Sequence, residues 1–179
     1  MKRNVVIVAL LALVVATVVI ACCPTDGLQS LPSGYVWYHN DDFGCSVGHP
    51  EGWVMLMETD DAVTIGDPGN KTYVAIGVYS VSSNTTLEAY AIESRDSAVA
   101  AGATILSEGP IVVNNRAGYE LVLTLSNEDI KVTQRAAVFV VETTAYFIVC
   151  TANEDDYNTF KDTFDTIINS TIIEEKPVG

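Results

Sequence analysis

From Tyr35 onward the apolar residues come mostly in short β-rich runs separated by polar, turn-forming residues. Tyr35–Tyr38, Phe43–His49, Trp53–Glu58, Ala62–Gly66 and Thr72–Val81 fill the first half, and Asp67-Pro68-Gly69-Asn70 is a strong turn signal between the last two. A helix follows. Thr85 and Glu88 have capping-box spacing, because hydroxyl and carboxylate each satisfy the other's free backbone N–H. Leu87, Tyr90, Ala91, Ser94, Ala98 and Ala101 then share one face, and Gly102 ends the helix.

A meander comes next. Thr104–Val113 passes through Asn114-Asn115 into Arg116–Leu125, and Asn tolerates the positive φ of a tight hairpin. Ala117, Tyr119, Leu121, Leu123 and Leu125 alternate with polar residues, which predicts one buried face. Ile130–Val141 and Thr144–Ala152 follow, and the unbroken run Tyr146–Cys150 reads as buried on both faces. The closing helix has Asn153 as its cap, Glu154, Asp155 and Asp156 in its first turn, and a stripe of Tyr157, Phe160, Phe164, Ile167 and Ile168. These elements predict one α+β domain over residues 35–173: a single twisted antiparallel β-sheet with helices packed on both faces. Neither a parallel βαβ unit nor a Gly-rich phosphate loop is legible, and residues 174–179 are expected to be a disordered tail.

The N-terminus follows different rules. Lys2 and Arg3 precede an uncharged apolar run from Val5 to Ala21, which reads as an export signal over residues 1–21. Val19-Ile20-Ala21-Cys22 resembles the lipobox of prokaryotic lipoproteins, which are cut before the Cys and carry diacylglycerol on its sulfur. The resemblance makes Cys22 the lipidated mature N-terminus; an uncleaved signal anchor is the alternative. Residues 22–34, rich in Pro, Gly and Ser, then read as a flexible tether of about 20 Å root-mean-square span. The expected location is the cell membrane, lipid-anchored and facing away from the cytoplasm.

The 179 residues hold 9 Lys+Arg against 23 Asp+Glu, a formal net charge of −14. That balance argues against nucleic acid, whose phosphates it repels, and against unaided docking on anionic lipid. Of the 4 Cys, Cys45 and Cys150 lie in separate predicted strands. Outside the reducing cytosol they are candidates for a disulfide, with two buried free thiols as the alternative. The chain has no CxxC pair.

A family resemblance rests on four stretches. They are Phe43-x-Cys45-x-Val47-x-His49-Pro50-x-Gly52-Trp53, Thr86-Leu87-Glu88-Ala89-Tyr90, Arg116-Ala117-Gly118-Tyr119-Glu120-Leu121, and the Phe160, Phe164, Ile168 helix. In these the chain resembles the PsbP-like family, named for an extrinsic photosystem subunit and found in many bacterial and archaeal lipoproteins. It departs from the family in having His49 where a Tyr often precedes the Pro. The resemblance implies a mainly non-catalytic protein that binds or assembles others, with some members linked to Ca²⁺ or Mn²⁺ handling.

Candidate chemistry is sparse. His39, Asp41, Asp42 and His49 form the candidate metal set, since imidazole and carboxylate suit Zn²⁺ or Mn²⁺. Acid clusters at Asp60-Asp61, Asp67, Glu128-Asp129 and Glu154-Asp155-Asp156 offer the oxygens that Ca²⁺ takes, without the EF-hand pattern. Nucleophilic catalysis has little support, since only two His could serve as base. Lys131 and Arg135, with Arg116, are candidates for an anionic ligand or partner, or for an exposed edge balanced by Glu120. Tyr35, Trp37 and Tyr38 are candidates for a partner-binding aromatic surface, whereas Trp53 is expected in the core. Asn70, Asn84 and Asn169 head glycosylation sequons. The expected function is a membrane-anchored, non-enzymatic binding or assembly factor acting on another envelope or membrane protein. The alternative is a protein that binds a divalent cation (Ca²⁺ or Mn²⁺) or a small solute, with a hydrolase less favoured; no obligatory cofactor is expected.

Overall fold

The structure is a computed structural model that describes residues 30–69, 72–126 and 131–174. The expected signal peptide, lipidated Cys22, most of the tether, Asn70 and the tail from 175 onward lie outside the described residues. The elements are β1 (Tyr35–Asn40), β2 (Cys45–Pro50), β3 (Val54–Glu58), β4 (Ala62–Gly66), β5 (Tyr73–Ser80), α1 (Leu87–Ala100), β6 (Thr104–Val113), β7 (Arg116–Ser126), β8 (Lys131–Val141), β9 (Thr144–Asn153), α2 (Tyr157–Ser170) and β10 (Ile172–Ile173).

The strands form two sheets, which corrects the expected single one. A seven-stranded antiparallel sheet runs in the order β3-β4-β5-β9-β8-β7-β6, and a three-stranded sheet in the order β1-β2-β10. The two-residue β10 is invisible in the hydrophobic pattern. It exists because α2 returns the chain beside β2, where Ile172 pairs with Ser46 and Ile173 with Cys45. Ser170 strengthens this join by accepting a hydrogen bond from the Gly48 N–H at 2.8 Å.

The two faces of the large sheet are covered differently. Ile148 and Cys150 of β9 point to one face with Val74 and Ile76 of β5, their register partners. That face packs on Phe164, Ile167 and Ile168 of α2 and on Cys45 and Val47 of the small sheet in one continuous core. The opposite face carries Leu121, Leu123, Ala136 and Val138 beneath α1. One face is therefore covered by a helix together with a second sheet, and the other by a helix alone. Trp53 is buried in the core as expected.

Hairpin chemistry behaves as the residue types dictate: Asn114 and Asn115 have φ of 48° and 63°, and Gly102, just past α1, has 92°. The caps do not fall where expected. Thr86, not Thr85, caps α1, accepting from the Ala89 N–H at 3.2 Å. Ala89 therefore sits where a box would need Glu, and Glu88 cannot reciprocate. Asp156 is the N-cap of α2, so Glu154, Asp155 and Asp156 precede the helix, and Asn153 donates to Asp156 at 3.3 Å. Of the expected α1 stripe, Ala91 is buried, Leu87, Tyr90, Ser94 and Ala98 are half-buried and Ala101 is exposed, while Ile92 and Val99, outside that stripe, face solvent. The α2 stripe is observed, with Phe164, Ile167 and Ile168 buried and Tyr157 and Phe160 packed beside them.

Candidate functional site

Among the described residues a concavity lies beside α1, on the face of the large sheet that α1 covers. Its floor uses small residues in register: Ala62 opposite Gly77, and Gly77 opposite Phe147. Ala75 pairs with Val149 one step along. Tyr79 folds back over Gly77, its ring 3.1 Å from where a Cβ would stand, so Gly at 77 makes room for the aromatic. The wall is Tyr90, Glu93, Ser94 and Ser97 of α1, and the groove holds about 460 Å³.

Three rings meet there. Tyr79 and Phe147 lie edge to face at 5.6 Å between centroids, and Tyr90 leans on Phe147 at the same distance. Burial raises the Tyr90 pKa above 10.0, helped by the Glu93 carboxylate, which keeps the phenol protonated as a donor. The groove is thus an apolar slot with a hydroxyl and a carboxylate on its rim, suited to holding an apolar group by contact and orienting a polar one. The pattern Ala75-x-Gly77-x-Tyr79 was its one sequence signal: small residues on the outward positions of an otherwise bulky strand.

The expected metal residues are not brought together. His39 pairs with Ser46 and Val36 with His49 in the β1–β2 register, so the two imidazoles sit three pairs apart and on opposite faces of the hairpin. His39 bonds the buried Ser46 Oγ at 2.7 Å and the exposed Asp41 Oδ1 at 2.8 Å. His49 faces the core and donates from Nδ1 to the Pro50 carbonyl at 3.0 Å. Among the described residues no group of three or more His, Cys, Asp or Glu is placed to hold a metal ion. Cys45 and Cys150 are both buried free thiols, not a disulfide. Burial pushes the Cys45 pKa up to about 12 and raises that of Cys150 as well.

Tyr35, Trp37 and Tyr38 do not make one surface. Tyr35 and Trp37 share one face of the hairpin with Pro50 and Gly48, while Tyr38 lies with Val47 on the other, against the core. Asn40 Nδ2 donates to the Tyr38 hydroxyl at 2.9 Å. Leu31, at the end of the expected tether, packs on Gly48, so the ordered domain begins before Tyr35. Arg135 is not an exposed edge cation. It lies on the core side of β8, bonded to Glu120 of β7 and Asp165 of α2. Arg116 donates to the Ile173 carbonyl at 3.1 Å.

The sheet order, the placement of α1 and the closing helix define a PsbP-like fold. The chain is similar over 87% of its length to the solution structure of cyanobacterial PsbP (CyanoP) from Synechocystis sp. PCC 6803, covering 99% of that chain at 17% identity with a TM-score of 0.64. It is also similar to LpqN of Mycobacterium tuberculosis, a protein involved in cell envelope biogenesis, over 79% of this chain and 91% of that one, at 15% identity and a TM-score of 0.58. A Pseudomonas aeruginosa protein of unknown function shares the fold at 10% identity and a TM-score of 0.55, with 80% of this chain and 99% of that one covered. No family of known proteins matches the sequence, and no curated protein does.

Proposed function

We propose that this protein is a lipid-anchored accessory protein of the extracytoplasmic envelope that works by binding another envelope or membrane protein, not by catalysis. The groove between α1 and the β5–β9 face carries this reading: a small-residue floor and three clustered rings receive an apolar group. The leader ending at Cys22 and the fold shared with an envelope-biogenesis protein support the location. The acid excess supports a partner other than nucleic acid.

Pull-down of the intact protein from native membranes tests it. A specific partner is expected with the wild type and is lost with Ala75→Trp, which fills the groove floor without touching the core. A partner set unchanged by Ala75→Trp, or turnover of a substrate by the purified protein, refutes the reading. Mass spectrometry of the native protein tests the anchor, with a diacylglycerol-bearing Cys22 expected at the N-terminus.

A second reading is a carrier of a small amphiphilic solute, favoured because about 460 Å³ falls within the usual range of ligand pockets. Native mass spectrometry of protein from its own host separates the two, since only a carrier retains a stoichiometric small molecule.

A further inference from the structure

At the other side of the molecule, β3 is the terminal strand of the large sheet. Its apolar side chains are about half in water: Val54 47%, Met55 49%, Leu56 50% and Met57 52% exposed. The strand pairs with β4 on one side, and among the described residues no strand pairs with the other. The register shifts between Met55 and Met57, so Leu56 is the extra residue of a bulge and its side chain lies over Gly66. A row of large apolar side chains on an unpaired edge is a feature that soluble proteins avoid unless something covers it.

Charge is arranged around this edge. At the C-terminal end of β3, the β1–β2 and β3–β4 turns enclose a cleft of about 470 Å³ lined by Asn40, Asp42, Phe43, Glu58, Thr59 and Asp60. Glu51 stands just before the strand, and Asp61 just after the cleft. These carboxylates choose among occupants. A second copy, paired antiparallel about a two-fold axis, would bring Glu51 of one chain toward Glu58 or Asp61 of the other, like charge against like. An anionic bilayer is repelled for the same reason. An extended segment carrying cations at the cleft end meets opposite charge. Antiparallel addition is the more stable pairing, and it lays the amino end of the incoming strand beside Glu58.

We propose that β3 is a docking edge for an extended, apolar segment of a partner protein with basic residues at its amino end, which adds to the large sheet as a further strand and seats its cations in the cleft at Glu58 and Asp60. The backbone supplies most of the attachment and the cleft sets direction. This surface is separate from the groove beside α1. It gives the accessory role a partner class, but its test needs no native partner.

The probe is a fluorescein-labelled peptide of Lys-Lys followed by alternating Val and Thr, titrated by anisotropy into the full chain. Saturable binding is expected, with amide exchange slowed at residues 54–58. Proline at alternate peptide positions removes the backbone donors and weakens binding by about tenfold or more. Glu-Glu in place of Lys-Lys weakens it about two- to fivefold, and Glu58→Lys with Asp60→Lys abolishes that difference. Leu56→Lys and Met57→Lys, exposed enough to fold normally, weaken binding severalfold while thermal melts stay unchanged. Equal binding of the proline peptide, or unchanged exchange at 54–58, overturns the proposal. So does a concentration-dependent dimer that Leu56→Lys dissolves, which assigns the edge to a second copy. Failure here leaves the groove reading intact, because that reading is judged with Ala75→Trp in native membranes.

Discussion

The ring of Phe139 lies directly over Gly118: a Cβ at position 118 would stand 2.5 Å from Cε1 and 2.7 Å from Cδ1 of that ring, and 3.0 Å from the Val138 carbonyl oxygen. Phe139 is 1% exposed and part of the core, so its ring has nowhere to retreat. The carbonyl belongs to the sheet ladder and cannot move either. Glycine is therefore required here by close approach, not by backbone angle.

Gly118→Ala is expected to destabilise the fold by about 1–3 kcal/mol, the usual cost of overpacking a filled core. Alanine's better strand entropy offsets only about 0.5–1 kcal/mol of this. Urea denaturation measures it. Phe139→Leu in the Gly118→Ala background should recover part of the loss, because it removes the ring that the new methyl meets.

The thiols of Cys45 and Cys150 should stay unmodified by iodoacetamide at pH 8 in the native protein and react fully in denaturant. Both are buried, and the Cys45 pKa is pushed up to about 12, so the reactive thiolate is scarce. Peptide mapping reads the outcome. A reducing agent should leave the unfolding midpoint of the domain where it was.

His49 makes stability depend on pH. Burial lowers its pKa from 6.5, with the Pro50 carbonyl opposing in part. The unfolded chain therefore takes up a proton more readily than the folded one, and protonation favours unfolding. Stability is full above about pH 6.5 and declines as pH falls from there toward the folded-state pKa. The denaturation midpoint should be lower at pH 5 than at pH 7.5, and His49→Gln should flatten that part of the profile.

Arg135 joins three elements. It is 15% exposed, and it bonds Glu120 Oε2 at 2.5 Å while also reaching Asp165 on α2. Removing it leaves two carboxylates facing one another beside the core. Arg135→Met is expected to cost about 1–3 kcal/mol, a range that allows for the partial exposure of Asp165. The triple change with Glu120→Gln and Asp165→Asn should recover most of it, since no unpaired charge then remains.

The parts of the fold legible in the sequence are those settled by neighbours along the chain. Ala62–Gly66 and Thr104–Val113 run as their residue patterns predict. The Asn114-Asn115 turn follows from one residue type's tolerance of positive φ. The α2 stripe at Phe164, Ile167 and Ile168 is buried because its spacing matches the helical turn. The sequence favours Thr85 as the α1 cap by its spacing to Glu88, yet the helix is capped by Thr86.

The candidate sites were much less legible, because they depend on what crosses from one element to another. His39 and His49 are close in sequence, yet strand alternation and hairpin register send them to opposite faces. Arg135 reads as an exposed cation until Asp165 of α2 is folded against it. Gly77 is an unremarked small residue until Tyr79 lies over it and Phe147 pairs beside it.

The sequence by itself determined most of the strand and helix segments, the turns and the excess of acidic residues, since each depends on residue type and short-range periodicity. Only the tertiary structure decided that the strands divide into two sheets, that β10 closes on β2, that the two buried thiols stay apart, and that a groove and a bare edge face the solvent. The physical reason is that a strand's own residues specify which side is apolar. Which apolar side it meets is chosen by pairings between distant segments, and these exist only once the whole chain has closed.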